Sequence, residues 1–166
     1  MSGILVVRLR SDIHVRTDMS DTMKLLNLTR VNHATIIPDN DVNRGMIQKI
    51  KDWVTYGPVS KETAARLVAE RAETQGGGRV TDAILADNSD FKSVDEFAAA
   101  LAEGRAKLGI RKLVEGSKTR KTWVVKPVLR LNPPKKGHEG IKHSFRSGGA
   151  LGDRGDAIAG LVERMV

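Results

Sequence analysis

Cysteine is absent from this 166-residue sequence, which excludes disulfides and thiolate-bound metals and is compatible with a reducing compartment. Aromatic residues are scarce: three Phe, two Trp and one Tyr, so aliphatic side chains must fill the core. No apolar run approaches membrane-spanning length. Charge enters the opening residues too early for a secretory leader,, and a soluble, cytoplasmic protein is expected. Neither phosphate-loop signature, G-x-x-x-x-G-K-[ST] or G-x-G-x-x-G, occurs,. The four histidines, His14, His33, His138 and His143, are dispersed. No carboxylate pair stands in a distinctive frame. The expectation is no catalysis, no metal and no cofactor.

What is abundant is positive charge, and it is concentrated. Residues 105–149 contain thirteen Lys or Arg against only Glu115 and Glu139, a net +11 that exceeds the +8 of the whole sequence. Residues 61–104 run the other way, with five cations and nine carboxylates. Such an asymmetry on a soluble chain points to a polyanionic partner. The basic stretch is rich in Gly and Pro, so most of it reads as loop. A looped basic segment suits an irregular folded RNA better than a membrane surface or a DNA groove.

Hydrophobic patterning divides the chain into three parts. Residues 1–58 read as β-α-β-α-β, with strands over 4–10, 34–38 and 53–56. Their first helix is capped at Thr17 or Asp18. The second is capped by Asp41 and buries Val42, Met46 and Ile50, with Trp53 or Val54 continuing that face,. Residues 59–104 read as an acidic helical insertion turned outward, toward solvent or a basic neighbour. Ala64, Leu67, Val68 and Ala72 share one helix face. Gly76 to Gly78 form a hinge, a short helix or turn covers 81–86, and Ser93 with Glu96 fits a capping box,. Residues 105–166 form a basic extension with a strand over 128–131, an ordered loop over 137–152 and a final helix capped by Asp153. The fold class is α+β, a small antiparallel sheet carrying a helical insertion and a basic extension. Because a helix follows the basic loop, that loop is tethered at both ends.

Several motifs admit two readings. His138 and His143 stand at i, i+5 with Gly140 between them and Lys136 and Lys142 beside them, unlike the i, i+4 helical pair of zinc proteases,. They fit RNA contact better than metal binding. Gly137 to Gly140 imitates the GxxG loop of KH domains, but Pro133 and Pro134 forbid the preceding helix, which leaves a turn,. Gly148 to Gly152 is either an anion-binding nest before a helix or a plain turn. Gly45, inside a helix at a cost of about 1 kcal/mol relative to Ala, leaves a bare spot for a neighbouring strand or a nucleic-acid backbone. Arg44 beside it is either free for a phosphate or merely solvated. Lys118, Arg120 and Lys121 alternate with hydroxyls and end at Trp123, and Phe145 sits between His143 and Arg146. Aromatics interleaved with cations combine base stacking with phosphate neutralisation.

Residues 21–38 (D-T-M-K-L-L-N-L-T-R-V-N-H-A-T-I-I-P) and 41–54 (D-V-N-R-G-M-I-Q-K-I-K-D-W-V) resemble the protein-thirty family of the large ribosomal subunit. The R-G-M at 44–46 is the part shared with its short bacterial members. Residues 129–152 (L-R-L-N-P-P-K-K-G-H-E-G-I-K-H…G-G-A-L-G) resemble the longer archaeal form, akin to the eukaryotic protein-seven branch. The resemblance implies a ferredoxin-like core and a structural, non-enzymatic role on the ribosome. It implies binding to 23S rRNA, with the extension near 5S rRNA and other large-subunit proteins as neighbours. Arg44 and Gly45 would approach rRNA, and Lys135, Lys136, His138, Lys142, His143 and Arg146 would form the extended contact loop. The competing readings are an RNA-processing or RNA-modifying enzyme or an assembly factor using the same basic surface. A DNA-binding regulator is disfavoured, because no helix carries an Arg-, Asn- or Gln-rich recognition face.

Overall fold

A computed structural model describes residues 2–113 and 121–166. Its main sheet is organised around β1 (Gly3–Arg8), which pairs antiparallel with β2 (His33–Pro38) on one side and β3 (Val54–Pro58) on the other. Leu5, Val7 and Leu9 join one core, while Val6 and the half-buried Ile4 join the other. A strand covered on both faces needs a continuous apolar run rather than alternation, and I-L-V-V supplies it. The helices α1 (Thr17–Leu25) and α2 (Asp41–Ile50) cover the smaller core with Met23, Leu26, Ile47 and Ile50.

The opposite face carries the larger core. Here α3 (Lys61–Arg71) and α5 (Val94–Ala102) pack together over the sheet through Ala64, Leu67, Val68, Phe97, Ala98 and Leu101. The short α4 (Asp82–Asn88) adds Leu85, and the C-terminal α6 (Ile158–Met165) adds Ile158, Leu161, Val162 and Met165. The acidic stretch thus turns its apolar side inward and leaves Glu62, Glu70, Asp95 and Glu96 exposed. Gly77, at φ +84°, closes a tight turn in which Thr74 N–H donates to the Gly78 carbonyl at 2.8 Å.

Two basic-segment strands extend the sheet at opposite edges. After β4 (Ile110–Leu113) and β5 (Lys121–Val125) form a separate two-stranded ribbon, β6 (Leu129–Arg130) pairs with β2, and β7 (Gly152–Asp153) pairs parallel with β3. The order β6-β2-β1-β3-β7 places the two ends of the intervening loop four strand spacings apart, about 19 Å. That loop is tied down along its course. Asn132 and Lys135 donate their N–H groups to the carbonyls of Met165 and Arg164, both at 2.9 Å, satisfying acceptors that a helix C-terminus leaves open.

Local details depart from the sequence expectations. Asn40 caps α2, accepting from Asn43 N–H at 2.8 Å, because Asn40 is extended while Asp41 is already helical. The buried stripe of α2 is offset from the expected one: Ile47 and Ile50 are buried, whereas Val42 is 72% exposed. No side chain caps α1; Asp18 lies inside its first turn. Ser93 accepts from Glu96 N–H, but Glu96 reaches back to Lys92 N–H rather than to Ser93. Asp153 does not cap the last helix. It belongs to β7, accepts from Gly155 N–H at 3.0 Å, and precedes a 3-10 turn leading into α6.

Replacing Phe97, a fully buried α5 residue in the larger core, by Ala is expected to cost about 3–5 kcal/mol in a urea-denaturation measurement. An effect below 1 kcal/mol would show that the 59–104 helices are not integral to the folding unit.

Candidate nucleic-acid interface

The basic loop is shaped from its inside by one arginine. The side chain of Arg154 is 3% exposed. It donates to Glu139 Oε2 at 3.2 and 3.3 Å, to the Ala150 carbonyl at 3.2 Å and to Thr55 Oγ1 at 3.3 Å. Its guanidinium also lies 4.5 Å from the centre of the Phe145 ring. The other Glu139 oxygen accepts from Arg164 at 2.9 Å. Glu139, the one acidic residue of residues 129–152, therefore serves as an internal clamp. Its burial pushes its carboxyl up, but hydrogen bonds from Arg164 and Arg154 outweigh that, and the group sits below the usual carboxylate range. Gly149 lets the loop close: any Cβ there would overlap the His143 carbonyl and lie 2.7 Å from the His143 Cβ.

Packed this way, the loop turns its other cations outward. Lys135, Lys136, Lys142, His143 and Arg146 are all exposed, and the Arg146 guanidinium lies 3.6 Å from the Asp153 carboxylate. Lys136 adopts φ +69° in a turn closed by Gly137 N–H donating to the Pro134 carbonyl at 2.9 Å. A left-handed conformation costs a non-glycine residue about 1–2 kcal/mol. His138 behaves differently from its neighbours. It is half-buried, its Nδ1 has no hydrogen-bond partner among the described residues, and burial followed by the nearby Arg154 charge keeps the ring below the usual histidine range.

The remaining candidates separate into distinct places. On α2, Gly45 is open, with no atom within 4 Å of where a Cβ would stand, so no neighbouring strand uses the gap. Arg44 is neither free nor merely solvated: it forms a two-point pair with Asp39, with Nη2 to Oδ2 at 2.7 Å. That hydrogen bond holds the Asp39 carboxyl below its ordinary range. Trp123 on the β4–β5 ribbon has the Arg111 guanidinium 3.7 Å from its ring centre and Gly109 close beneath its edge, so it is engaged within the protein. Phe145 is likewise occupied by Arg154. Lys121 is exposed at the start of β5, whereas Lys118 and Arg120 lie outside the described residues. Among the described residues no group of three or more His, Asp or Glu stands within reach of a common metal ion, and no helix is long and apolar enough to cross a membrane.

Residues 4–54 match the family model described as Ribosomal protein L30p/L7e. Relatives extend the match across the chain. The large ribosomal subunit protein uL30 of Methanocella arvoryzae is 41% identical over 160 residues, covering 96% of this chain and 97% of that protein. Its counterpart from Methanopyrus kandleri is 44% identical, covering 95% and 100%. The chain belongs to the uL30 family. The uL30 protein of Methanobrevibacter smithii, 39% identical over 98% of this chain, shows the same full-length correspondence. Family membership therefore includes the basic extension as well as the core, in the longer archaeal form, and the relatives' names are those of ribosomal proteins rather than enzymes. The α+β core, with β1, α1, β2, α2 and β3 in that order, is the architecture expected from the resemblance.

Three predictions follow from this geometry. Gly45→Ala should stabilise the isolated protein by up to about 1 kcal/mol, and Lys136→Gly by about 1 kcal/mol through relief of its backbone. Both should weaken RNA binding measured in parallel; unchanged binding would mark these positions as merely structural. Glu139, whose folded-state pKa is depressed, contributes stability that is present above about pH 4.5 and lost as pH falls through its lower folded value. Glu139→Gln should cost about 1 kcal/mol or less at neutral pH, a figure discounted because the carboxylate is 42% exposed,, and flatten part of the acid limb of a Tm-against-pH curve. An unchanged acid limb would place the linkage elsewhere.

Proposed function

We propose that this chain is a structural constituent of the large ribosomal subunit, bound to 23S rRNA in the cytoplasm and supporting translation, with its extended loop near 5S rRNA. The observation that carries this reading is the ordered basic loop: one internal ion-pair cluster fixes its shape, and its remaining cations face outward. Arg44, Lys121, Lys135, Lys136, Lys142, His143 and Arg146 are assigned as direct RNA contacts on the strength of their exposure and polarity, and Gly45 on its open backbone. Lys118 and Arg120 extend the same assignment from the sequence. Trp123 and His138 are assigned supporting roles, positioning Arg111 and the loop base. Each phosphate neutralised releases condensed counterions, so affinity should fall by roughly 0.7–0.9 log units per log unit of salt for every contact.

Sedimentation of the tagged chain from gently lysed cells tests the reading. The expected result is co-migration with the large subunit at near one copy per particle, persisting through a moderate salt wash. Migration as free protein, or on precursor particles alone, would instead identify an assembly factor or an RNA-modifying enzyme. Neutralising Lys135, Lys136, Lys142 and Arg146 together to Gln should leave the fold intact, because none contributes to either core, and should reduce incorporation at least tenfold. Wild-type occupancy of that variant would overturn the loop assignment.

A further inference from the structure

Two clefts on the α1–α2 side of the sheet share Gln48, Tyr56 and Asp153 and so form one trough along β3. One end, about 560 Å³, passes Arg44 and Gly45 on α2. The other, about 740 Å³, is bordered by Arg10, Lys51 and Trp53 from the core and by Lys142 and Arg146 from the basic loop. We propose that this trough binds a single-stranded stretch of RNA, with one unstacked base against Trp53 and Tyr56 and the flanking phosphates on Lys51, Lys142 and Arg146. The proposal rests on the RNA-binding role inferred above and narrows it, since it specifies single-stranded RNA and recruits core residues outside the basic extension.

Four features support it. Trp53 and Tyr56 are both only half-buried and line the wider end of the trough; arginines sit closer on Trp123 and Phe145, at 3.7 and 4.5 Å from the ring centres. Arg10 stands over Trp53 at 5.6 Å from the ring centre while its Nη1 donates to the Asp52 carbonyl, which places a cation at the rim of an aromatic surface. Arginine and aromatic groups around a basic channel are the elements by which single strands are held without base pairing. At the wider end charge favours an anion: Arg10, Lys51, Lys142 and Arg146 face two carboxylates, Asp52 and Asp153, and Asp153 is already engaged by Arg146 and by Gly155 N–H; at the other end Arg44 is matched by Asp39. The bare Gly45 helix turn at the narrow end allows a sugar-phosphate backbone to lie directly against α2.

The test uses the full-length chain and labelled RNA oligonucleotides of mixed sequence, single-stranded and as duplex, followed by fluorescence anisotropy. Trp53→Ala is expected to weaken single-strand binding about tenfold, with Trp53→Phe retaining most affinity and duplex binding unchanged by either. In a Trp123→Phe background Trp53 is the sole tryptophan, and saturating single strand should quench its emission. Because Trp53 also packs against the smaller core, the exposed Lys51→Gln provides a second variant, expected to lower affinity and reduce the salt slope by about one phosphate's share. Absence of Trp53 quenching at saturation, or wild-type affinity in both Trp53→Ala and Lys51→Gln while the loop variants lose binding, would overturn the trough and leave the RNA-binding reading standing. A wild-type chain that binds neither oligonucleotide would remove that broader reading and the trough with it.

Discussion

A guanidinium taken out of water must be paired and fully hydrogen-bonded, and at Arg154 that requirement organises the whole C-terminal third. It has four partners: Glu139, Ala150 and the face of Phe145 in the loop, and Thr55 in β3. Satisfying them together fixes where β7 meets β3 and how the loop folds back on itself. Arg164 shares the Glu139 carboxylate, so the last helix is drawn into the same cluster. The cluster uses charge to hold charge. One carboxylate pairs with two arginines, and among the described residues Lys135, Lys136 and Lys142 form no ion pair.

The same arrangement answers a problem of sheet edges. A three-stranded β2-β1-β3 sheet leaves two open rows of N–H and C=O groups, which invite unwanted pairing. β6 covers one edge and β7 the other, both supplied by the basic segment. The loop between them must therefore span the sheet, and its conformation is set by the distance it has to cross. Extension and core are in this sense one folding unit. Leu129, Leu131, Ala150 and Leu151 share a core with Leu5, Leu67 and Leu161. Removing the whole loop would sever β6 from β7, so charge neutralisation dissects its role more cleanly than deletion.

Some of this was legible in the sequence, for identifiable reasons. The apolar runs of β1 and β2 survive any reading of period, since both faces of those strands are covered. The basic loop declared itself because charge concentration is a property of composition and needs no geometry. The stripe of α2 was offset because Met46 and Ile50 belong to two overlapping helical stripes, and Val42 completes the wrong one. Asn40 and Asp41 are equally competent caps, and only the backbone turn at Asn40 decides between them. Asp153 stood where a helix cap was expected, yet a two-residue strand has no periodicity to announce it. Trp123 looked like a stacking platform by sequence, but Arg111, on the partner strand of its ribbon, already occupies it. Trp53 and Tyr56 were read as strand residues, because spacing reveals which face a residue takes and not whether a helix reaches far enough to cover it.

Ordering determines how effective such a surface is. A flexible tail of equal charge would lose conformational freedom for every residue fixed on binding, about 1–2 kcal/mol each for the backbone alone, and that loss offsets counterion release. Here Glu139 and Arg154, the strand ends and the α6 carbonyls fix the loop in the free protein, so in the proposed RNA complex little of that cost would remain to be met. Lys136 shows the preference at a single residue. A glycine would relieve its left-handed backbone at no steric cost, yet a lysine occupies the position and keeps a cation at the apex of the turn. Arg44 and Asp39 show the complementary strategy. An ion pair with one solvent-facing partner contributes little to stability, so a phosphate could replace the carboxylate at small cost, while the pair holds the exposed guanidinium at the trough wall in the free protein. On the proposed reading, a surface built this way would favour RNA whose shape already matches it, with selectivity arising from rigidity rather than from the number of its charges.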